Sequence, residues 1–267
     1  MSRRLTILAG GGALVPEVLG AAKASGDEIQ VLPLVDRSDL GFSEVFGAAD
    51  LPRLIWRITS FRTTHITMIG GLRATTGDRE NFKRFAGSKS GLNGDSTLLT
   101  IAEKILAVTG AKVVGAEAIA PAILAQDGLI AGPSVGRPTL ALARFALEKA
   151  RAVGALDIGQ AVVAAPGRIL AVEDFAGTDA LIERIGYYRQ QGFESTAGLV
   201  LAKALKPQQS HLVDRPAIGP DTVAHAAAAG IMAVAVEANG AIIVDRAGLE
   251  ARAGEVGVSV VGVRLDG

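Results

Sequence analysis

The regular alternation of short apolar segments with helical patterns constrains the fold of this chain most strongly. The apolar segments in the first half have the length and composition of buried strands. They lie at 5–9, 29–34, 65–69 and 112–114. The helical patterns around them lie near 13–24, 51–61 and 97–108. Because strands that alternate with helices form βαβ units, this half predicts a Rossmann-like domain with a parallel sheet.

The second half of the chain contains turn signals that favour pairing between neighbouring strands. Pro166-Gly167-Arg168 separates one pair of apolar segments, and Asn239-Gly240 separates another. Asn-Gly is typical of the primed turns in hairpins, so we expect antiparallel strands on both sides of each turn. Further strands are expected near 198–205 and 258–263, and helices near 140–153, 178–190, 221–229 and 249–255. This half therefore predicts a mixed-sheet α/β domain.

A stretch rich in glycine and proline, residues 131–138, separates the two patterns. Glycine and proline interrupt helices and strands, so this stretch is the best candidate for a linker. We predict an N-terminal domain at 1–130 and a C-terminal domain at 139–267. The length of 267 residues suits two domains, since a domain commonly has about 100–150 residues.

The composition excludes several kinds of site. The chain has no cysteine, which excludes disulfides, thiolate metal centres and cysteine nucleophiles. Its 27 basic and 27 acidic side chains balance, whereas a dedicated nucleic-acid binder normally has a basic excess. No apolar segment reaches the roughly 18–20 residues that span a bilayer. We expect a cytoplasmic protein that binds no nucleic acid and contacts membranes only peripherally.

Glycine-rich loops follow two of the predicted strands. Gly10-Gly11-Gly12-Ala13 joins the first strand to the first helix, and Gly71 follows the strand at 65–69. Glycine lets backbone N–H groups approach a phosphate, and a helix N-terminus favours negative charge. The carboxyl ends of parallel strands line the usual ligand crevice. We expect both loops to contact substrate, and the alternative is that they are only tight turns.

Two acidic residues precede or open predicted helices. Asp95 comes before the helix near 97–108, where it would bind a divalent cation beside a diphosphate. The alternative is that Asp95 or Ser96 caps the helix. Thr178 and Asp179 open the helix near 178–190, where their spacing alone favours capping.

The segment from Lys203 to Asp221 concentrates polar residues between a predicted strand and a predicted helix. Such loops often contact ligands. Its cations, Lys203, Lys206 and Arg215, suit phosphate oxygens, and Asp214 suits a metal ion or the orientation of water. The alternative is a solvated connection that contains an ion pair.

Motifs in this segment resemble those of the LpxI family, the UDP-2,3-diacylglucosamine pyrophosphatases of lipid A synthesis. The resemblance starts with Lys206-Pro207-Gln208-Gln209 and with Val213-Asp214-Arg215-Pro216-Ala217-Ile218-Gly219. Shorter matches follow the same order along the whole chain. They are Leu8 to Leu14, Gly94-Asp95, Gly115-Ala116, Leu156 to Gln160, Leu170 to Glu173, Gly177 to Ala180 and Val236 to Ala238.

The resemblance implies Mg²⁺-dependent hydrolysis of the pyrophosphate bond of UDP-2,3-diacylglucosamine to lipid X and UMP, by a homodimer. It implies that Asp214, which matches a critical aspartate of the family, is catalytic. Lys206, in the same segment, is expected to be catalytic as well. Asp214 and Asp95 are the expected metal ligands. The expected substrate-binding residues are Gly10, Gly11, Gly12, Ala13, Gly71, Lys203, Gln209, Arg215, Thr178 and Asp179.

Two other functions fit parts of the sequence. Ser96 stands where the family has a second acid, which favours a non-catalytic relative that binds a nucleotide sugar or lipid without metal ligation. The glycine loop alone would suit a different nucleotide-sugar enzyme on a Rossmann-like domain, such as a dehydrogenase. Val15 counts against the dehydrogenase, because the dinucleotide motif has its third glycine there.

Overall fold

A computed structural model describes residues 3–47, 50–71, 109–192, 198–207 and 215–265. The described residues fall into two compact units, one up to Ala122 and one from Ile123 onward. Each unit contains its own sheet. The residues predicted as a linker include the end of one strand and the beginning of one helix of the second unit.

The first unit contains a parallel sheet and two helices in its described part. In chain order these are β1 (Arg4–Ala9), α1 (Leu14–Ala24), β2 (Glu28–Pro33), α2 (Leu51–Ser60), β3 (His65–Ile69) and β4 (Lys112–Val113). The strand order is β2-β1-β3-β4, and every pairing is parallel. The predicted strands and the first two predicted helices are therefore confirmed, while the helix predicted near 97–108 lies outside the described residues.

The apolar composition of the strands explains why this sheet is buried. Leu5, Ile7 and Leu8 on β1 are all buried, as expected for a central strand covered on both faces. Leu54 and Ile58 of α2 belong to one apolar cluster together with Leu8 of β1. This order places β2 and β3 on opposite sides of β1, so the loops after β1 and β3 flank the point where an open sheet usually binds its ligand.

The second unit is a mixed α/β domain, as predicted. Its strands are β5 (Gly128–Ala131), β6 (Ala161–Ala165), β7 (Arg168–Val172), β8 (Val200–Lys203), β9 (Ala217–Ile218), β10 (Ala233–Glu237), β11 (Ile242–Ile243) and β12 (Ser259–Val263). Its described helices are α3 (Arg137–Ala155), α4 (Gly177–Gln190), α5 (Pro220–Ala228) and α6 (Arg246–Val256). Residues of α3 pack on one face of the main sheet, and residues of α4, α5 and α6 pack on the other.

The main sheet has the order β5-β12-β10-β8-β6-β7. Strands β8, β10 and β12 are parallel to one another, while β5, β6 and β7 pair antiparallel with their neighbours. The hairpin predicted at Pro166-Gly167-Arg168 is confirmed, because it joins β6 to β7, with Gly167 at a φ of 83°.

The second predicted hairpin, at Asn239-Gly240, is wrong. A turn does form there, with Asn239 at a φ of 58°, but β11 then pairs parallel with β9 in a separate two-stranded sheet. The reason is that β10 is already paired with β8 on one edge and with β12 on the other. No edge of β10 remains for the strand that follows it. Separately, none of the described helices is long and apolar enough to cross a membrane.

Candidate functional site

The loops after β1 and β3 are joined directly through their backbones. The amide of Gly11 donates to the carbonyl oxygen of Gly71 at 2.9 Å, and the amide of Gly71 donates to Gly11 at 3.0 Å. A Cβ atom on Gly10 would lie 2.7 Å from the carbonyl oxygen of Gly70, so a side chain would force the loops apart. The structure therefore brings the predicted residues Gly10, Gly11 and Gly71 together.

The exposed part of this loop lies at its helical end. Gly12 and Ala13 are exposed, and no described backbone carbonyl accepts a hydrogen bond from their amides. Helix α1 begins at the next residue, and no side chain caps it. Since the first turn of a helix presents N–H groups and positive potential, this end of the loop is suited to an anion.

Arg37, which the sequence analysis missed, lies beneath the same loop. Its side chain is buried, with 4% of the residue exposed. Nη1 donates to the carbonyl oxygens of Gly10 at 2.8 Å and Gly12 at 3.3 Å, while Nε and Nη2 each donate to the Asp39 carboxylate at 2.8 Å. The hydrogen bond between the two side chains raises the pKa of Arg37 and lowers the pKa of Asp39. The signal in the sequence that could have indicated Arg37 is the charged run that follows the predicted second strand.

Several polar residues of the second unit lie at one edge of its six-stranded sheet, where strands end or begin. Strands β7, β8 and β10 end there, and the antiparallel strand β6 begins there. We call the side chains at this edge the sheet-edge cluster. Its members are Asp157, Gln160, Glu173, Thr178, Lys203, Lys206 and Glu237.

The predicted cations of this unit anchor its backbone. Lys203 Nζ donates to the carbonyl oxygen of Ala217 at 3.1 Å. Arg215 Nη1 donates to the carbonyl oxygens of Asn239 at 2.7 Å and Gly240 at 3.3 Å. Lys203 therefore connects β8 to β9, and Arg215 connects the start of β9 to the turn after β10.

Lys206 forms an ion pair at the same sheet edge. Its Nζ lies 3.0 Å from Oδ1 of Asp157, a residue with a φ of 56° in the loop before β6. Only 14% of the Lys206 side chain is exposed, and its stem passes over Gly154 of α3, where a Cβ atom would lie 3.2 Å from Lys206 Cγ. The lysine that we expect to be catalytic is therefore held in place by its stem and by a carboxylate.

Thr178 does not cap its helix, so the capping interpretation is wrong. Helix α4 begins at Gly177 after Ala176, and no side chain caps it. Thr178 instead donates its hydroxyl to one oxygen of the buried Glu173, whose other oxygen accepts from the amide of Gln160 at 2.6 Å. Asp179 points elsewhere, because its carboxylate pairs with Nδ1 of His225 at 3.3 Å on an exposed surface.

The expected metal ligands lie outside the described residues. These are Asp95 and Asp214, and the expected substrate contact Gln209 also lies there. Among the residues that the structure does describe, no group of three or more histidine, aspartate or glutamate side chains is arranged to hold a metal ion. The Mg²⁺ site stays a prediction from the resemblance.

Comparison with known proteins confirms the resemblance. The model of the LpxI N-terminal domain matches residues 4–123, and that of the LpxI C-terminal domain matches residues 126–261. A relative from Caulobacter vibrioides, UDP-2,3-diacylglucosamine pyrophosphatase LpxI, is 30% identical over 278 residues. The alignment covers 98% of this chain and 98% of the relative.

Proposed function

Because the chain belongs to the LpxI family, we propose that it hydrolyses the pyrophosphate bond of UDP-2,3-diacylglucosamine to lipid X and UMP in lipid A synthesis. The observation that carries the proposal is the match of both family domains, in order, to nearly the whole chain. The relative that is 30% identical over 98% of its length has this activity in its name.

The first unit supplies a nucleotide-binding role in this proposal. The exposed amides of Gly12 and Ala13, with the uncapped first turn of α1, would bind a phosphate oxygen of the uridine nucleotide. Gly10, Gly11 and Gly71 would support them, because Gly11 and Gly71 exchange two backbone hydrogen bonds and the amide of Gly10 donates to the carbonyl oxygen of Ile69.

The second unit supplies cations in this proposal. Cleavage of a phosphoanhydride requires charge neutralisation on the phosphates, an aligned water and a stabilised leaving group. Lys206 and Lys203 would neutralise phosphate charge with Arg215. Thr178, Asp179 and Gln209 are proposed as further substrate contacts.

We assign the central role to Asp214, which would align the attacking water or bind Mg²⁺ together with Asp95. A bound Mg²⁺ supplies positive charge to diphosphate oxygens. Carboxylate oxygens are the ligands that Mg²⁺ prefers, so the residue types at these two positions fit the ion.

An assay of UMP release from UDP-2,3-diacylglucosamine, with and without Mg²⁺, tests the proposal. We expect Mg²⁺-dependent release by the purified protein and its loss in Asp214→Ala, with the thermal unfolding transition retained. Glu255→Ala is the matched control, because it also removes one carboxylate, from the exposed end of α6. Near-normal turnover by the Asp214 variant would remove Asp214 from the mechanism.

A non-catalytic relative is the second candidate, because Ser96 stands where the family has an acid. Its signature would be saturable binding of the nucleotide sugar with no UMP released at any Mg²⁺ concentration. We also propose that the protein is a cytoplasmic homodimer that contacts membranes only peripherally, which sedimentation and vesicle co-flotation would measure.

A further inference from the structure

We infer that Arg37 is the positioning residue that holds the glycine loop in its nucleotide-binding conformation. The inference rests on the proposed function for the identity of the ligand. It adds a residue that has no part in the mechanism described above and that lies outside the motifs of the family resemblance.

The guanidinium of Arg37 uses each of its nitrogens. Nη1 donates to the carbonyl oxygens of Gly10 at 2.8 Å and of Gly12 at 3.3 Å. Nε donates to Oδ1 of Asp39 and Nη2 donates to Oδ2, each at 2.8 Å. The planar fork of arginine is matched to a carboxylate, so Asp39 fixes the plane in which Nη1 points at the loop.

The geometry of the peptide bond converts these contacts into an orientation of amides. In a trans peptide the carbonyl oxygen and the following N–H point to opposite sides. Since the oxygen of Gly12 faces Arg37, the N–H of Ala13 points away from it, toward the exposed side of the loop. In the same way the oxygen of Gly10 faces Arg37, and the N–H of Gly11 points to Gly71. Arg37 thereby orients the amide of Ala13 toward a ligand and the amide of Gly11 toward Gly71.

Backbone hydrogen bonds fix the loop at Gly10 and Gly11, and Arg37 adds a contact at Gly12, closer to its helical end. Gly12 has a φ of 100°, and a chain of glycines loses much conformational freedom when it is ordered. No side chain caps α1. A buried arginine that binds two carbonyls of the loop reduces the freedom that a ligand would otherwise have to remove, which strengthens binding.

The expected kinetic effect follows from where Arg37 lies. Arg37 has no contact with the reacting phosphates in this inference. Its removal therefore weakens binding of the substrate and binding of the transition state by the same factor. Uniform loss of binding raises KM and leaves kcat unchanged. A purely structural arginine would instead lower the amount of folded protein without altering the affinity of the folded fraction.

Arg37→Lys is the principal variant, because it keeps the charge and loses the fork. We expect the Kd of UMP and the KM of the substrate to rise about tenfold, with kcat within about twofold of wild type. We also expect faster hydrogen exchange in a peptide that covers residues 9–14.

Arg3→Lys is the matched control. Arg3 also donates two hydrogen bonds to one carboxylate, that of Asp27, at 2.9 and 2.8 Å. This pair lies at the amino ends of β1 and β2, whereas the glycine loop follows the carboxyl end of β1. The Arg3→Lys variant should keep the UMP affinity and the hydrogen exchange of residues 9–14 at wild-type values. Should Arg37→Lys fail to fold, Asp39→Asn at the exposed side of the pair provides the same test with a smaller shift in the same direction.

Equal UMP affinities in the Arg37 and Arg3 variants would overturn the inference. Unchanged hydrogen exchange of residues 9–14 in Arg37→Lys would overturn it as well. If the wild type binds UMP but does not hydrolyse the substrate, the proposed hydrolysis fails, while the affinity comparison still decides the role of Arg37. A wild type that does not bind UMP at all overturns the nucleotide-binding role of the loop and the inference together.

Discussion

Glu173 is the buried carboxylate of the sheet-edge cluster. Only 5% of it is exposed, and its two oxygens accept hydrogen bonds from the amide of Gln160 and the hydroxyl of Thr178. Gly159 fits against its backbone, where a Cβ atom would lie 2.8 Å from the carbonyl carbon of Glu173. One side chain thus joins the start of β6, the end of β7 and the first turn of α4.

Glu173→Gln is expected to lower the free energy of unfolding by about 1–3 kcal/mol, because the amide has one acceptor oxygen instead of two and cannot keep both buried hydrogen bonds as the carboxylate makes them. Urea denaturation would measure the change. Glu183→Gln makes the same substitution on an exposed face of α4 and should change stability by less than about 0.5 kcal/mol. Equal midpoints for the two variants would contradict the structural role of Glu173.

At the scale of elements, the loops after β1 and β3 of the first unit approach each other closely. Gly70 has a φ of 90°, and a Cβ atom there would press against the backbone of Gly10, 2.9 Å from its carbonyl carbon. The reciprocal hydrogen bonds between Gly11 and Gly71 depend on this approach. The glycines are therefore required by the packing of two loops as well as by the proposed ligand.

Gly70→Ala is expected to destabilise the first unit by about 1–3 kcal/mol, because the added methyl group meets backbone and the φ is unfavourable. Gly20→Ala is the opposite case, since Gly20 lies inside α1 with open space around it. It should stabilise the protein by about 0.5–1 kcal/mol. Thermal and urea unfolding would compare them, and a change of the same sign in both would contradict this account.

At the scale of the whole molecule, the described core clusters each belong to one unit. The cluster around Leu8, Leu32 and Ile58 comes from the first unit. The clusters on the two faces of the six-stranded sheet come from the second. The cores therefore provide each unit with its own burial of apolar surface, which is the requirement for independent folding.

A fragment of residues 123–267 is expected to fold cooperatively without the first unit, because its described core clusters are complete within it. Circular dichroism through a urea titration would show a single transition with the helical signal of α3 to α6. A fragment that shows no cooperative transition would mean that the second unit depends on the first.

Much of the fold was predictable from local patterns. Segments such as 5–9 and 65–69 are mostly apolar, with Thr6, His65 and Thr67 as exceptions, and such composition favours strands that are covered on both faces, as β1 and largely β3 are. The hairpin at Gly167 was predictable because its turn and its two strands are contiguous. The family was predictable because several short motifs occur in the same order along the chain.

Pairings between distant residues were decided by the tertiary structure. Local pattern shows that a strand exists but not which edge is vacant, so the pairing of β11 with β9 followed only from the occupied edges of β10. The same holds for Arg37 beneath Gly10 and for Glu173 beside Gln160. The sequence alone thus determined the elements, the glycine positions and the family, because these depend on neighbouring residues. Only the tertiary structure decided which side chains meet within each unit, because hydrogen bonds between distant segments exist only after the sheet has formed.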